Sequence, residues 1–156
     1  MNWEAIGAVG EVLGAAAVVA TLLYLAKEIR QNSRSLEITA LRDTTAQWNH
    51  WSNMLASSPD LADIVARGNK SFKGLTESES LRYGAFVQSF FDNAESYRRL
   101  VIDNHVDRDL TVLESIVARR LLNPGFAEWW GENAADYDDG FVSWVEDKLR
   151  TSLPGS

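Results

Sequence analysis

Cysteine is absent from all 156 residues. That excludes disulfides, thiolate zinc sites and thiol nucleophiles, and nothing signals an oxidising compartment. The fold must stand on packing alone. Histidine occurs only at His50 and His105, and neither lies in an HxxxH, HExxH or ExxH pattern, so no metal site and no cofactor is expected. No serine sits in GxSxG or SxxK, and no glycine-rich loop resembles GxxxxGK[ST] or GxGxxG. Nucleophile-elbow hydrolases and common nucleotide sites are therefore unsupported.

Positive charge is also scarce. The formal net charge is -7, which argues against a nucleic-acid partner, because phosphate binding needs a clustered cationic face. From residue 121 to residue 147 there is no Lys or Arg, whereas Glu128, Glu132, Asp136, Asp138, Asp139, Glu146 and Asp147 all fall there. This region reads as a solvated acidic surface or, more sharply, as a docking surface for a basic protein partner, with Glu128, Trp129, Trp130, Glu132, Asp136, Asp138 and Asp139 as its candidate residues.

Long apolar runs are missing except at the amino terminus. Residues 5–26 form a stretch of 22 in which Glu11 is the only charge. As a helix it would be roughly 33 Å long, enough for a hydrocarbon core of about 30 Å. Glu4 is the only charge before the run, so the basic leader of a cleaved signal peptide is lacking. Trp3 and Tyr24 suit the two membrane interfaces. Lys27, Arg30 and Arg34 follow the run and no Lys or Arg precedes it, which orients the rest of the chain to the cytoplasm. Nine Leu, Ile and Val residues contribute roughly -4 kcal/mol to insertion against roughly +3 for one central acid. So thin a margin favours a Glu11 that is protonated, near the interface or sheltered by another helix. The alternative is a buried helix of a soluble bundle.

Gly7, Gly10, Gly14, Ala17, Thr21 and Tyr24 follow a 3-4-3-4 spacing. They form one stripe of mostly small residues that would let a second helix approach closely, so a homo-oligomer is expected, with Gly7, Gly10, Gly14, Ala17 and Thr21 at its interface. Glu11 lies on the edge of that stripe, either as a structural acid or as a carboxylate lining a pore.

No proline or glycine interrupts residues 15–58, so the first helix can continue well past the apolar run, with Ile29, Leu36, Ala40, Trp48, Trp51 and Leu55 on the face that packs against other helices. The Ser-Arg-Ser stretch at 33–35 is the place for a kink if there is one. Ser58 caps and Pro59 begins a short helix closed by Gly68. A loop over residues 69–74 leads to a Thr76/Glu79 capping box and a long helix with Tyr83, Phe86, Phe90, Ala94, Tyr97 and Val101 on one side, broadened by Val87 and Phe91. Asp107 or Asp109 caps a helix bearing Leu110, Leu113, Ile116, Val117 and Leu121, which ends at Asn123-Pro124-Gly125. Two further helices carry Trp129 and Trp130, then Phe141, Trp144, Val145 and Leu149. No period-2 pattern occurs, so the expected fold is all-α: a transmembrane anchor over 1–27, a juxtamembrane helix over 28–58 and a cytoplasmic helical bundle over 59–153.

The opening NWEAIGAVGEVLGAAAVVATLLYLAKEIRQNSRSL, with LLNPGFAEWWGENAADYDDGFVSWVEDKL near the end, resembles a group of uncharacterised small bacterial single-span membrane proteins. The resemblance implies a bacterial inner-membrane location, single-pass, with a cytoplasmic carboxyl-terminal domain; it carries no activity. Lys27 stands where the group's pattern calls for an uncharged residue, which shortens the span. Together these features lead to a membrane-anchored homo-oligomeric scaffold or docking protein without catalytic activity, whose partners are the bilayer, further copies of itself and a basic protein. An ion or proton channel lined by Glu11 is the alternative. Third is an enzyme whose site would show itself as a buried polar pocket with converging ionisable groups.

Overall fold

The computed structural model describes residues 3–103 and 110–152, and every regular element among them is helical. The elements are α1 (Trp3–Ser57), α2 (Pro59–Gly68), α3 (Glu77–Asp103), α4 (Thr111–Leu121), α5 (Pro124–Asn133), a single 3₁₀ turn (Ala134–Asp136) and α6 (Asp139–Ser152). The chain divides into two compact units, Met1–Leu41 and Arg42–Ser156.

The core of the second unit is built on α3. Tyr83, Phe86, Val87, Phe90, Phe91 and Ala94 recur at helical spacing and are all buried, so the helix must be covered along most of its apolar side. Trp51 of α1 stacks on Phe86 with centroids 4.6 Å apart, and its indole N–H donates to the Phe86 carbonyl at 2.9 Å. Ile64 and Val65 come from α2, Leu113, Val117 and Leu121 from α4, Phe126, Trp129 and Trp130 from α5, and Phe141 and Val145 from α6. Each such aromatic or aliphatic side chain contributes about 1.5–3 kcal/mol on burial.

Local chemistry sets the boundaries as expected. The Ser58 hydroxyl accepts from the Leu61 N–H at 3.3 Å, with Pro59 in the first turn of α2. At the start of α3 the Glu79 carboxylate reaches back to the Thr76 N–H at 3.0 Å and also accepts from the Arg67 guanidinium at 2.7 Å. The Arg67 hydrogen bond, followed by those from Thr76, holds the Glu79 carboxyl at about 2, below its ordinary 4.5. The expected caps Asp107 and Asp109, the histidine His105 and the tail after Leu153 lie outside the described residues.

The break at residues 123–125 is more than a turn. The Gly125 N–H donates to the Asn69 carbonyl at 3.1 Å, and a Cβ on Gly125 would fall on the Gly68 carbonyl, while one on Gly68 would fall within the Tyr83 ring. The end of α2 and the start of α5 thus meet backbone to backbone over that ring, an approach open only to glycine.

α1 is assigned as helix throughout, across the serines at 33 and 35, and the Ser35 hydroxyl bonds back to the Gln31 carbonyl at 3.0 Å. Of its expected packing face, Trp51 is buried and Trp48 and Leu55 are partly so, but Ile29 and Leu36 are exposed.

Among the described residues no helix is long and apolar enough to cross a membrane; much of the span expected over 1–27 falls on residues whose side chains lie outside that description. Between Glu11 and Lys27 the charge-free run covers residues 12–26, 15 positions or roughly 22 Å of helix against a hydrocarbon core of about 30 Å.

Two outcomes test this architecture. Gly125→Ala should lower stability in urea by about 3 kcal/mol, because the added methyl must push two backbones apart. Glu79 stabilises the fold above its unfolded value of 4.5, and that stabilisation is lost as pH falls toward about 2; urea midpoints across this window should depend less on pH in Glu79→Gln than in the native chain.

Candidate functional site

In the first unit, α1 leaves its apolar side chains uncovered. Leu13, Val18, Val19, Leu22, Leu23, Tyr24, Leu25 and Ile29 are exposed by 47–67 %. At 100° per residue they point to every side of the helix, a pattern found where the surroundings are themselves apolar. Gly10 and Gly14 face open space, with nothing within 4 Å of a Cβ built on either. Ala17, Thr21 and Glu11 are exposed as well. The Thr21 hydroxyl donates to the Ala17 carbonyl of its own helix at 2.8 Å, so it is already satisfied without a second helix. Tyr24, Lys27, Arg30 and Arg34 are exposed. Trp3 and Gly7, expected as an interface anchor and as part of the stripe, lie outside the described side chains.

The acidic carboxyl-terminal face is only partly free, and its two tryptophans are not surface residues. Trp129 and Trp130 are buried against Phe91, with centroids 5.8 Å and 4.5 Å away. α5 is short and carries its aromatic residues toward α3, because two indoles in contact with water would forfeit several kcal/mol. Glu128 is used internally: one carboxylate oxygen accepts the N–H groups of Phe72 at 2.8 Å and Lys73 at 3.2 Å, with the Ser71 hydroxyl at 3.4 Å. It closes the loop over residues 69–74 by satisfying N–H groups that no helix can pair. Asp138 caps α6 through the N–H groups of Gly140 at 3.0 Å and Phe141 at 3.3 Å. Glu132 lies 3.8 Å from the Lys73 ammonium. Asp136 and Asp139 are exposed, so the docking surface read from the sequence contracts to a few carboxylates.

The acids and arginines of α3 lie beside it. Asp92 accepts from the Tyr137 hydroxyl at 3.0 Å, and Glu95 pairs with Arg99 at 3.2 Å. Burial raises the Asp92 carboxyl, partly offset by the Tyr137 bond; burial, reinforced by Asp92, raises the Tyr137 phenol. Glu95, Arg98, Arg99, Ile102, Asp138 and Phe141 line an open groove of about 210 Å³. One Glu95 oxygen accepts from Arg99 and from the Asp138 N–H, and the Asp138 carboxylate accepts from the Gly140 and Phe141 N–H groups. Among the described residues no three His, Asp or Glu side chains could hold a metal ion.

Two arginines take roles that spacing alone does not reveal. Arg120, in the last turn of α4, places its guanidinium 5.0 Å from the centre of the Trp51 ring, and Arg98 sits 5.7 Å from that of Trp144. In both, Nε is buried with no hydrogen-bond partner, so the ring face substitutes for an acceptor. Desolvation, followed by Arg119, lowers the Arg120 value.

If Glu128 closes the loop as its contacts indicate, Glu128→Ala should cost about 2 kcal/mol in urea unfolding, because two N–H groups lose a charged acceptor. Amide exchange at Phe72 and Lys73 should accelerate in the same variant. No protein-family model, no curated protein and no solved structure matches this chain.

Proposed function

We propose that this chain is a membrane-anchored, homo-oligomeric scaffold, held in a bacterial inner membrane by the amino-terminal part of α1, with a helical docking domain on the cytoplasmic side. One observation carries the reading: the uncovered apolar side chains of α1 encircle the helix from Leu13 to Ile29. Contiguous apolar surface of that kind marks a membrane or protein contact. In the sequence the apolar run begins earlier, at residue 5, and reaches the 22 residues a bilayer asks for. Lys27, Arg30 and Arg34 follow it, in keeping with a cytoplasmic carboxyl-terminal side. The open space at Gly10 and Gly14 suits the close approach of a second copy, since helices in lipid associate through packing of small residues.

The exposed acids Asp136 and Asp139, with Glu132 at the rim, favour a partner with basic side chains and would act mainly on its association rate. In cell fractionation the full chain should pellet with membranes, resist high salt and come out with detergent as a particle heavier than one protomer. Gly10→Leu with Gly14→Leu should lower that particle mass. Full recovery in the supernatant without detergent would overturn the reading.

A further inference from the structure

We infer that the turns of α1 after its apolar run engage the headgroups of anionic phospholipids through Lys27, Arg30 and Arg34. The inference rests on the membrane-anchoring reading above and deepens it by naming the class of lipid. α1 is helical across these positions, so their spacing of three and then four residues sets the side chains within about 60° of one another around the axis and roughly 10 Å apart along it. All three are exposed. Among the described residues the ion pairs lie elsewhere, at Arg67, Lys73, Arg99, Lys148 and Arg150; Glu37, three residues after Arg34, lies outside the described side chains. Glu28 projects about 100° away from Lys27, and the remaining positions between Lys27 and Arg34 are uncharged.

Charge complementarity selects the occupant. A chain of net charge -7 carries here a compact cationic stripe, immediately after the apolar side chains that would enter lipid. At that depth the stripe meets headgroups, and a basic residue near an anionic surface gains roughly fivefold in partitioning, whereas a zwitterionic surface offers no net charge to answer it. The apolar residues hold the chain to the membrane and the stripe chooses which membrane.

The purified full-length chain, diluted from detergent into vesicles of phosphatidylcholine alone or with about one-third phosphatidylglycerol, tests this by flotation at roughly 0.1 M salt. Partitioning should be at least roughly tenfold higher into the anionic vesicles. Lys27→Gln, Arg30→Gln and Arg34→Gln together, which keep good helix formers at exposed positions, should abolish that preference while flotation with phosphatidylcholine is retained. Equal flotation of the native chain with both vesicles overturns the inference and leaves membrane anchoring standing. Flotation with neither overturns both. A preference that survives in the triple variant overturns the assignment to these three residues.

Discussion

The second unit depends on the apolar side of α3. A helix that carries Tyr83, Phe86, Val87, Phe90, Phe91 and Ala94 so closely spaced cannot be left against water, and no single neighbouring helix is wide enough to cover it. Contributions therefore arrive from α1, α2, α4, α5 and α6. The aromatic contacts are mostly edge-on or tilted, as between Trp48 and Phe90 or Phe90 and Phe126, which lets large rings fill the space without strain. With no disulfide and no metal cluster among the described residues, this burial is the source of stability, and the polar contacts serve to position it.

Those polar contacts explain why acidity in the carboxyl-terminal third is not the same as availability. Glu128 and Asp138 each serve as hydrogen-bond acceptors for main-chain N–H groups at helix or loop boundaries, and a carboxylate is the strongest acceptor for that purpose. Arg98 and Arg120 lie over indole rings instead of seeking these acids. Charge in this unit is arranged around an aromatic core first, and only the remainder faces solvent.

The first unit obeys the same physics with the opposite outcome. Its apolar side chains belong to one helix and surround it, so within that unit there is no face to hide and nothing to hide it against. The proposed bilayer and second copy would act on different residues: lipid on the Leu and Val side chains, close helix packing on Gly10 and Gly14.

Much of the architecture was legible along the chain. Helical periodicity named the buried side of α3, Ser58 with Pro59 marked the start of α2, and Thr76 with Glu79 marked the start of α3, because each is a local signal between residues a few positions apart. The length of the apolar run at 5–26 was equally plain, with residues 12–26 as its longest charge-free stretch. Contacts between distant residues were not legible. That Glu128 would latch a loop more than fifty residues earlier, that Trp129 and Trp130 would turn inward and that Gly125 would meet Gly68 has no signature in spacing or composition. The sequence by itself determined which segments are helical and which sides are apolar, since these follow from local propensity and period. Tertiary structure alone decided which charges and rings remain at the surface, since that depends on which helices meet.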